Sequence, residues 1–271
     1  GVSGGKDSML LLLALKHLQG YYPRHFELEA ITIELGFEGM DFTPVREMCA
    51  ELEIPYTCLK TDIKEIVFDV RREDNPCSLC AKMRRGALND AIRARGISKL
   101  ALGHHFDDAV ETFLMSLLYE GRIGCFEPVT YLSRTGITQI RPMLYVGEQA
   151  IAHFAERYEL PVVHNVCPAD KHTKRQEVKV LLRRLKRDNP NIENSIFRSI
   201  HGVALDTMPG YKTEGQEHSF LERFDRVEAE LQKAAQRLYE KVVPAAVQEY
   251  ISDCTQDDPV RKPQKKSEAQ V

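Results

Sequence analysis

The sequence lacks the features that would place the protein in a membrane or outside the cell. No apolar run in its 271 residues approaches the ~20 residues that a membrane helix needs. There is also no charged segment followed by an apolar stretch and a cleavage site. Seven cysteines, an odd number in a chain that is not small, argue against a secreted disulfide framework. We therefore expect a cytoplasmic protein that is not associated with a membrane.

The sequence also has no overall positive charge and no internal repeat. It lacks the Walker spacing G-x-x-x-x-G-K-[ST], which excludes a kinase-type or GTPase-type phosphate loop. Because the formal net charge is −3, any nucleic-acid surface must come from local clusters of Lys and Arg. The hydrophobic content of 43% is sufficient for one large core, with or without an appendage.

Strand and helix patterns alternate through the first two thirds of the chain. The predicted strands are 28–33, 56–59, 99–103, 138–141 and 161–164, and the predicted helices are 8–18, 43–52, 81–95, 107–118 and 147–158. This alternation predicts an α/β fold, with helices on both faces of a parallel sheet. We expect a main domain at 1–202, a helical extension at 203–251 and a disordered tail at 252–271.

The first eight residues, GVSGGKDS, predict a phosphate-binding loop. Gly4 and Gly5 allow backbone amides to turn inward and approach a ligand closely. Ser3, Ser8 and Lys6 add donors and one positive charge, and the helix that follows presents its positive end to the same place. The alternative is a glycine-rich turn that Ser and Asp side chains cap. The complete string, leading into a leucine-rich helix, favours the phosphate loop.

The segment LALGHHFDD predicts a second part of the same site. A strand ends at Gly103, two histidines follow, and Asp107 and Asp108 open a helix. Carboxylates are favourable at a helix N-terminus by themselves, so N-capping is the alternative interpretation. The carboxyl end of a parallel strand is, however, where open α/β sheets bind their ligands.

Cys77 and Cys80 form a C-x-x-C pair that we place on a turn leading into a helix. The spacing allows a redox pair, half of a zinc site or part of an iron–sulfur cluster. Zinc usually requires a second C-x-x-C, which the chain does not have. Cys167, just after a predicted strand, is the natural third ligand, whereas Cys49 and Cys58 fall inside predicted elements and are assigned no function.

A basic helix is predicted at 176–186, within a segment, 171–187, that contains eight Lys or Arg and one Glu. Val178, Leu181, Leu182 and Leu185 share one face and predict that this side of the helix docks on the core. The charged side is either an ordinary solvated face or a surface for phosphate groups.

The strings SGGKDS, PCSLCAKMRRG, LALGHHFDD and IRPM, with a lone Cys167 ahead of a basic helix, together resemble one family. It is the tRNA 2-thiocytidine synthetase family of PP-loop ATP pyrophosphatases, which have the adenine nucleotide alpha hydrolase-like fold. The resemblance covers about residues 1–202. It implies an ATP-dependent tRNA sulfurtransferase that adenylates the oxygen on carbon two of cytidine 32 in the anticodon loop. AMP then leaves as sulfur replaces that oxygen.

The resemblance also implies cofactors, partners and residue roles. The cofactors are ATP, Mg²⁺ and a 4Fe–4S cluster whose open iron carries sulfide, and the partners are tRNA, a sulfur donor such as a cysteine desulfurase, and a second copy of the chain in a homodimer. The implied nucleotide-binding residues are Ser3, Gly4, Gly5, Lys6, Asp7, Ser8, Gly103 and His105. Those implied in catalysis are Lys6, Asp7, Asp107 and Asp108, with Mg²⁺ on Asp108, and the cluster ligands are Cys77, Cys80 and Cys167. Contacts to tRNA are expected from Lys174, Arg175, Arg183, Arg184 and Arg187.

The sequence departs from the family pattern in three places. Only Gly1 and Val2 stand where a strand normally leads into the loop, so we expect further residues upstream. His164 occupies a position where the family often has another cysteine, and nothing beyond Gly202 matches. The alternatives are a 2-thiouridine synthetase, which typically has flanking zinc-finger cysteines, a tRNA-Ile lysidine synthetase, which needs no cluster, and a non-catalytic nucleotide-sensing module with a zinc-stabilised loop.

Overall fold

The computed structural model describes residues 1–72, 76–164, 166–168, 173–213 and 215–242. It divides into two compact units, the first of which is Gly1–Gly202, with the second starting at Val203. The expected tail at 252–271 and the last part of the expected helical extension lie outside the described residues.

The first unit alternates strands and helices as the hydrophobic pattern predicts. Its strands are β1 (Ala30–Glu34), β2 (Tyr56–Lys60), β3 (Lys99–Ala101), β4 (Val129–Leu132) and β5 (Ile137–Ile140). Its α-helices are α1 (Lys6–Gln19), α2 (Thr43–Glu51), α3 (Pro76–Ala94), α4 (Phe106–Tyr119), α5 (Glu148–Arg157), α6 (Lys174–Asp188) and α7 (Ile192–His201). A short π-helical segment, Glu65–Val70, precedes α3.

The strands form a mostly parallel arrangement. β1 pairs in parallel with β2, β3 pairs in parallel with β5, and β4 pairs antiparallel with β5 at the edge. Gly1 and Val2 lie between these groups. The Val2 N–H donates to the Ile31 carbonyl (2.8 Å), and the Gly1 nitrogen donates to the Ala101 carbonyl (3.2 Å). The first two residues therefore join β1 to β3, and the phosphate loop follows directly from the middle of the sheet.

Helices cover both faces of this sheet, which confirms the expected α/β architecture. Successive strand residues point to opposite faces, and in β1 Ala30 packs with Met9 and Val45 of α1 and α2. Ile31, its neighbour, packs with Leu88 of α3 on the other side. A further cluster buries Val178 and Leu182 of α6 against Val110 and Leu114 of α4, with Ile196 and Phe197 of α7 beside them.

Four expectations from the sequence were wrong or incomplete. Residues 161–164 form no strand, although the Val163 N–H donates to the Gly4 carbonyl (2.9 Å). Helix α3 begins at Pro76 and not at 81, because Pro is favoured in the first helical turn. The C-x-x-C pair therefore lies within the helix and not on a turn before it. The pattern also missed β4 and α7.

The second unit contains a β-hairpin and a long helix. Strands β6 (Gly210–Thr213) and β7 (Gln216–Ser219) pair antiparallel, and α8 spans Phe220–Val242. The described part of the expected extension at 203–251 therefore contains a long helix together with a hairpin that the sequence analysis did not predict. None of the helices in the described ranges is both long and apolar enough to span a membrane.

Candidate active site

The phosphate loop is built around two glycines and a serine. Gly4 has a φ of +83°, and a Cβ on this residue would lie 2.7 Å from the Cβ of Val163, so only glycine fits. The Ser8 hydroxyl donates to the Gly5 carbonyl (2.9 Å) and accepts from the Ser3 N–H (3.2 Å), which fixes the turn. Since the first N–H groups of a helix have no partner within it, the start of α1 offers donors to an anion.

The GHHFDD segment lies directly against this loop. A Cβ on Gly103 would lie 3.1 Å from the carbonyl carbon and oxygen of Asp7 and 3.2 Å from the nitrogen of Ser8. A side chain here would push the start of α1 away from the end of β3, so glycine favours this close approach. The structure therefore brings together the two segments that the sequence analysis assigned to one nucleotide site.

His105 is the centre of the acidic part of the site. Its side chain is almost fully buried, and its Nε2 lies 3.8 Å from Asp7 Oδ1 and 3.5 Å from Asp108 Oδ2. Its Nδ1 lies 3.6 Å from Asp107 Oδ2. Burial lowers the His105 pKa, but the surrounding carboxylates outweigh burial and raise it above the ordinary histidine value. His105 therefore keeps its proton to a higher pH than an ordinary histidine does.

The neighbouring histidine has the opposite character. Burial is the main cause that lowers the His104 pKa to about 4, so this imidazole is neutral at neutral pH. Its ring lies 5.1 Å from the ring of Phe126, and the guanidinium of Arg141, from the IRPM segment, lies 4.9 Å from the same ring. A neutral imidazole beside an aromatic ring and a guanidinium therefore adjoins the carboxylates around His105.

Lys6 is held by two carboxylates. Its Nζ donates to Asp7 Oδ1 (2.9 Å) and to Glu148 Oε1 (3.0 Å). Burial lowers the Lys6 pKa, but the hydrogen bonds to Asp7 and Glu148 outweigh it and raise this pKa, so the ammonium stays charged. Glu148 opens α5, and its N–H donates to Asp107 Oδ2 (2.6 Å). The sequence analysis missed Glu148, although an acid opening a helix soon after β5 was an available signal.

Two cations of α6 complete the network from the other side. Arg175 donates to Asp108 Oδ1 (3.2 Å) and to Glu111 Oε2 (2.9 Å). Lys179 lies 3.4 Å from both Glu111 Oε1 and Glu148 Oε2. Glu111 itself is buried, with only 2% of its surface exposed. The sequence analysis missed Glu111 and Lys179, and it assigned Arg175 to tRNA, whereas its guanidinium points to the carboxylates.

These contacts close into a ring of eight side chains in which the sign of charge alternates once His105 is protonated. We call it the charge ring, and its members in order are Lys6, Asp7, His105, Asp108, Arg175, Glu111, Lys179 and Glu148. A cleft of about 300 Å³ adjoins the ring between α4, α5, α6 and α7. Its lining includes Asp107, Glu111, Glu148, Lys179 and Arg183.

The three candidate cluster cysteines are neighbours. Cys77 and Cys80 lie three residues apart near the start of α3, so both project from one side of the helix. Burial raises the Cys80 pKa, Arg84 lowers it, and the charges of Cys167 and Cys77 raise it further. Both thiols therefore lie within electrostatic reach of Cys80. By contrast, burial alone raises the pKa of Cys49, which is on the buried face of α2.

Among the described residues, no three His, Cys, Asp or Glu side chains converge on the position of a single metal ion. One zinc ion holds every sulfur at about 2.3 Å, which demands such convergence. An iron–sulfur cluster offers each cysteine a different iron, so its sulfurs stand farther apart. Three cysteine thiols are the ligand type that an iron–sulfur cluster takes.

The remaining basic residues of α6 lie outside the charge ring. Lys174 pairs with Glu177 (2.8 Å), and its ammonium lies 5.3 Å from the ring of Tyr119. Arg183, Arg184 and Arg187 are exposed. The structure thus separates the five proposed tRNA contacts into one inward cation, one surface ion pair and three exposed arginines.

Comparison with known proteins gives the following matches. A family model described as a PP-loop domain matches residues 1–185. A protein of Pelobacter propionicus named tRNA-cytidine(32) 2-sulfurtransferase is 37% identical over 206 residues, covering 75% of this chain and 77% of that protein. A protein of the same name from Bdellovibrio bacteriovorus is 35% identical over 203 residues, covering 74% and 78%.

Solved structures are also similar to this chain, and a tRNA-modifying enzyme is among them. It is the U34-tRNA thiolase NcsA from Methanococcus maripaludis with its 4Fe–4S cluster. The TM-score is 0.63 and the sequence identity 26%, over 78% of this chain and 72% of that one.

Proposed function

Because the chain belongs to the PP-loop family and, within it, to the family of tRNA-cytidine(32) 2-sulfurtransferases, we propose that it is an ATP-dependent tRNA thiolase. It replaces the oxygen on carbon two of a cytidine, position 32 of tRNA, with sulfur. The observation that carries this proposal is the close approach at Gly103, which joins the phosphate loop to the carboxylates at the end of β3. In this assignment residues 1–202 are the catalytic domain, and the helical extension has no assigned role.

The first step activates the base. The oxygen on carbon two attacks the α-phosphorus of ATP, the bond between the α and β phosphates breaks, and pyrophosphate leaves. Ser3, Gly4, Gly5 and Ser8 hold the phosphates through the loop, and Lys6 balances the charge that develops on the leaving pyrophosphate. The second step breaks the bond between carbon two and the AMP oxygen as sulfur bonds to that carbon.

Carboxylates beside the loop fit Mg²⁺, which prefers oxygen ligands. Asp108 is the proposed ligand, together with Asp107 or Asp7. In this structure both oxygens of Asp108 accept hydrogen bonds, Oδ1 from Arg175 (3.2 Å) and Oδ2 from the His105 N–H (3.1 Å). Metal binding at Asp108 Oδ1 therefore requires Arg175 to release that oxygen. His105 is the proposed group that keeps the carboxylates in place.

Cys77, Cys80 and Cys167 are the residues that we propose would hold a 4Fe–4S cluster, and the cluster would supply the sulfur for carbon two. The protein must deprotonate all three thiols to hold it. Burial raises the pKa of Cys80, and Arg84 lowers it, so Arg84 favours the thiolate that the cluster needs. The sulfur donor, expected to be a cysteine desulfurase, the homodimer and the cytoplasmic location stay predictions.

Mass spectrometry of tRNA nucleosides tests the proposed function. Anaerobically purified protein with ATP, Mg²⁺, a sulfide source, free lysine and unmodified tRNA is expected to produce 2-thiocytidine, AMP and pyrophosphate. A product of 2-thiouridine would support a uridine thiolase of the same superfamily instead, and lysidine would support the lysidine synthetase. Nucleotide binding without any modified nucleoside would favour the sensing module.

We assign tRNA contact to α6, with Lys174, Arg175, Arg183, Arg184 and Arg187 as the proposed residues. The arrangement of the helix supports this for the last three. Val178 and Leu182 pack α6 on α4, so the exposed arginines lie beside the site on a helix that is docked on the core. Arg175 is the least suited to an outer phosphate, because Asp108, Glu111 and Thr112 all accept from it.

Salt dependence of tRNA binding provides a test of this surface. Replacing Arg183, Arg184 and Arg187 with Gln is expected to weaken tRNA binding and to reduce the slope of log K against log salt by roughly 0.7–0.9 for each lost phosphate contact. Filter binding between low and moderate salt measures this slope.

The matched control removes the same number of positive charges from exposed positions outside α6. It replaces Arg24, Arg93 and Arg134 with Gln. This variant should keep a slope close to that of the unmodified protein. Equal slopes for the α6 variant and the unmodified protein would show that tRNA does not use this face.

A further inference from the structure

The charge ring links the nucleotide site to α6, the proposed tRNA-binding helix, through a continuous series of ion pairs. On the nucleotide side, Lys6 belongs to the phosphate loop and Asp108 to the carboxylate pair. On the RNA side, Arg175 and Lys179 are one turn apart on α6, the helix that carries the exposed arginines. Glu111 is the only buried acid among the described members of the ring, and it holds both cations of α6.

Occupation of the phosphate loop must change this network. When nucleotide phosphate binds Lys6, it competes with Glu148, whose carboxylate is bound to both Lys6 and Lys179. A Glu148 carboxylate released from Lys6 interacts more strongly with Lys179. Because Lys179 and Arg175 stay anchored on Glu111, this added attraction holds α6 more firmly. When nucleotide is already bound, α6 therefore loses less conformational entropy on binding tRNA, and tRNA binds more tightly.

We propose that Glu111 is a positioning residue that couples nucleotide binding at the phosphate loop to tRNA binding on α6. This inference rests on the proposed function, since it takes tRNA as the partner of α6. Linkage makes the coupling reciprocal, so tRNA tightens nucleotide binding by the same factor by which nucleotide tightens tRNA binding. The coupling therefore favours ATP binding when tRNA, the substrate to be activated, is already bound.

The test measures binding of α,β-methylene ATP, which resists cleavage between the α and β phosphates, with and without saturating tRNA. We expect tRNA to tighten binding by about five-fold or more in the unmodified protein. In Glu111→Gln the two affinities should become nearly equal. In the control Glu177→Gln the coupling should persist, because Glu177 is an exposed acid of α6 that bonds Lys174 and Tyr119 outside the ring.

If Glu111 has only a structural role, Glu111→Gln will weaken the binding of both nucleotide and tRNA. The ratio of nucleotide affinities with and without tRNA will then stay as in the unmodified protein, which would contradict the proposal. Equal affinities in the unmodified protein would also overturn it, and would leave the proposed function standing. A protein that binds no tRNA would overturn both. If Glu111→Gln does not fold, Glu148→Gln breaks the ring at a half-buried position, and full coupling in that variant would overturn the proposal.

Discussion

Replacing Lys6 with alanine is expected to abolish the release of AMP and pyrophosphate. Lys6 is the cation at the start of α1, and its pKa stays raised by Asp7 and Glu148 in spite of burial, so it is charged over the whole physiological pH range. Removing a preorganised group that stabilises developing charge typically lowers the rate by about 10²- to 10³-fold. Nucleotide binding should also weaken, because Asp7 and Glu148 are then left without their cation beside the phosphates.

Chromatographic separation of labelled nucleotides measures this effect. Lys16→Ala is the control, since Lys16 lies in the last turn of the same helix, far from the loop. It should release AMP at the rate of the unmodified protein. If the unmodified protein releases ADP and phosphate, the PP-loop mechanism is wrong.

Replacing any one of Cys77, Cys80 and Cys167 with alanine is expected to remove both the brown colour and the thiolation activity. After anaerobic purification the unmodified protein should contain about four irons and four inorganic sulfides per chain. Loss of one thiolate leaves two ligands, too few to keep the cluster. The variants should still bind α,β-methylene ATP, because the three cysteines are not part of the phosphate loop.

Iron and sulfide analysis, with the visible absorption spectrum, measures this result. Cys49→Ala and Cys58→Ala are the controls, since burial keeps the pKa of both thiols raised and the Cys58 thiol already donates to Glu34 (3.7 Å). Both variants should keep iron and colour. Stoichiometric zinc in active protein would contradict the cluster and the sulfur chemistry that depends on it.

The sequence predicted those parts of the site that are continuous in the chain. The phosphate loop and the GHHFDD segment are each a short string, and their glycines already indicate close backbone approaches. The C-x-x-C pair was recognised, but its place within α3 was not, although Pro76 was a signal for an earlier helix start. The edge strand β4 was missed because it has four residues and none of them is buried, so its pattern carries no strong core signal.

The charge ring could not be predicted in the same way. Glu111 and Lys179 are 68 residues apart, and their pairing depends on how α6 packs on α4. Arg175 shows the consequence most clearly. In the sequence it is one of many cations on a basic helix, and only the packing of Val178 and Leu182 turns it towards Asp108 and Glu111.

The hydrogen bond between Val163 and Gly4 limits the distance between Cys167 and the phosphate loop. The Val163 N–H donates to the Gly4 carbonyl, and Cys167 follows Val163 by four residues. Four residues of fully extended chain reach about 14 Å at most. Cys167, the proposed third cluster ligand, therefore stays within this distance of the proposed phosphate loop, and a cluster bound there would need no large domain closure to reach an activated base.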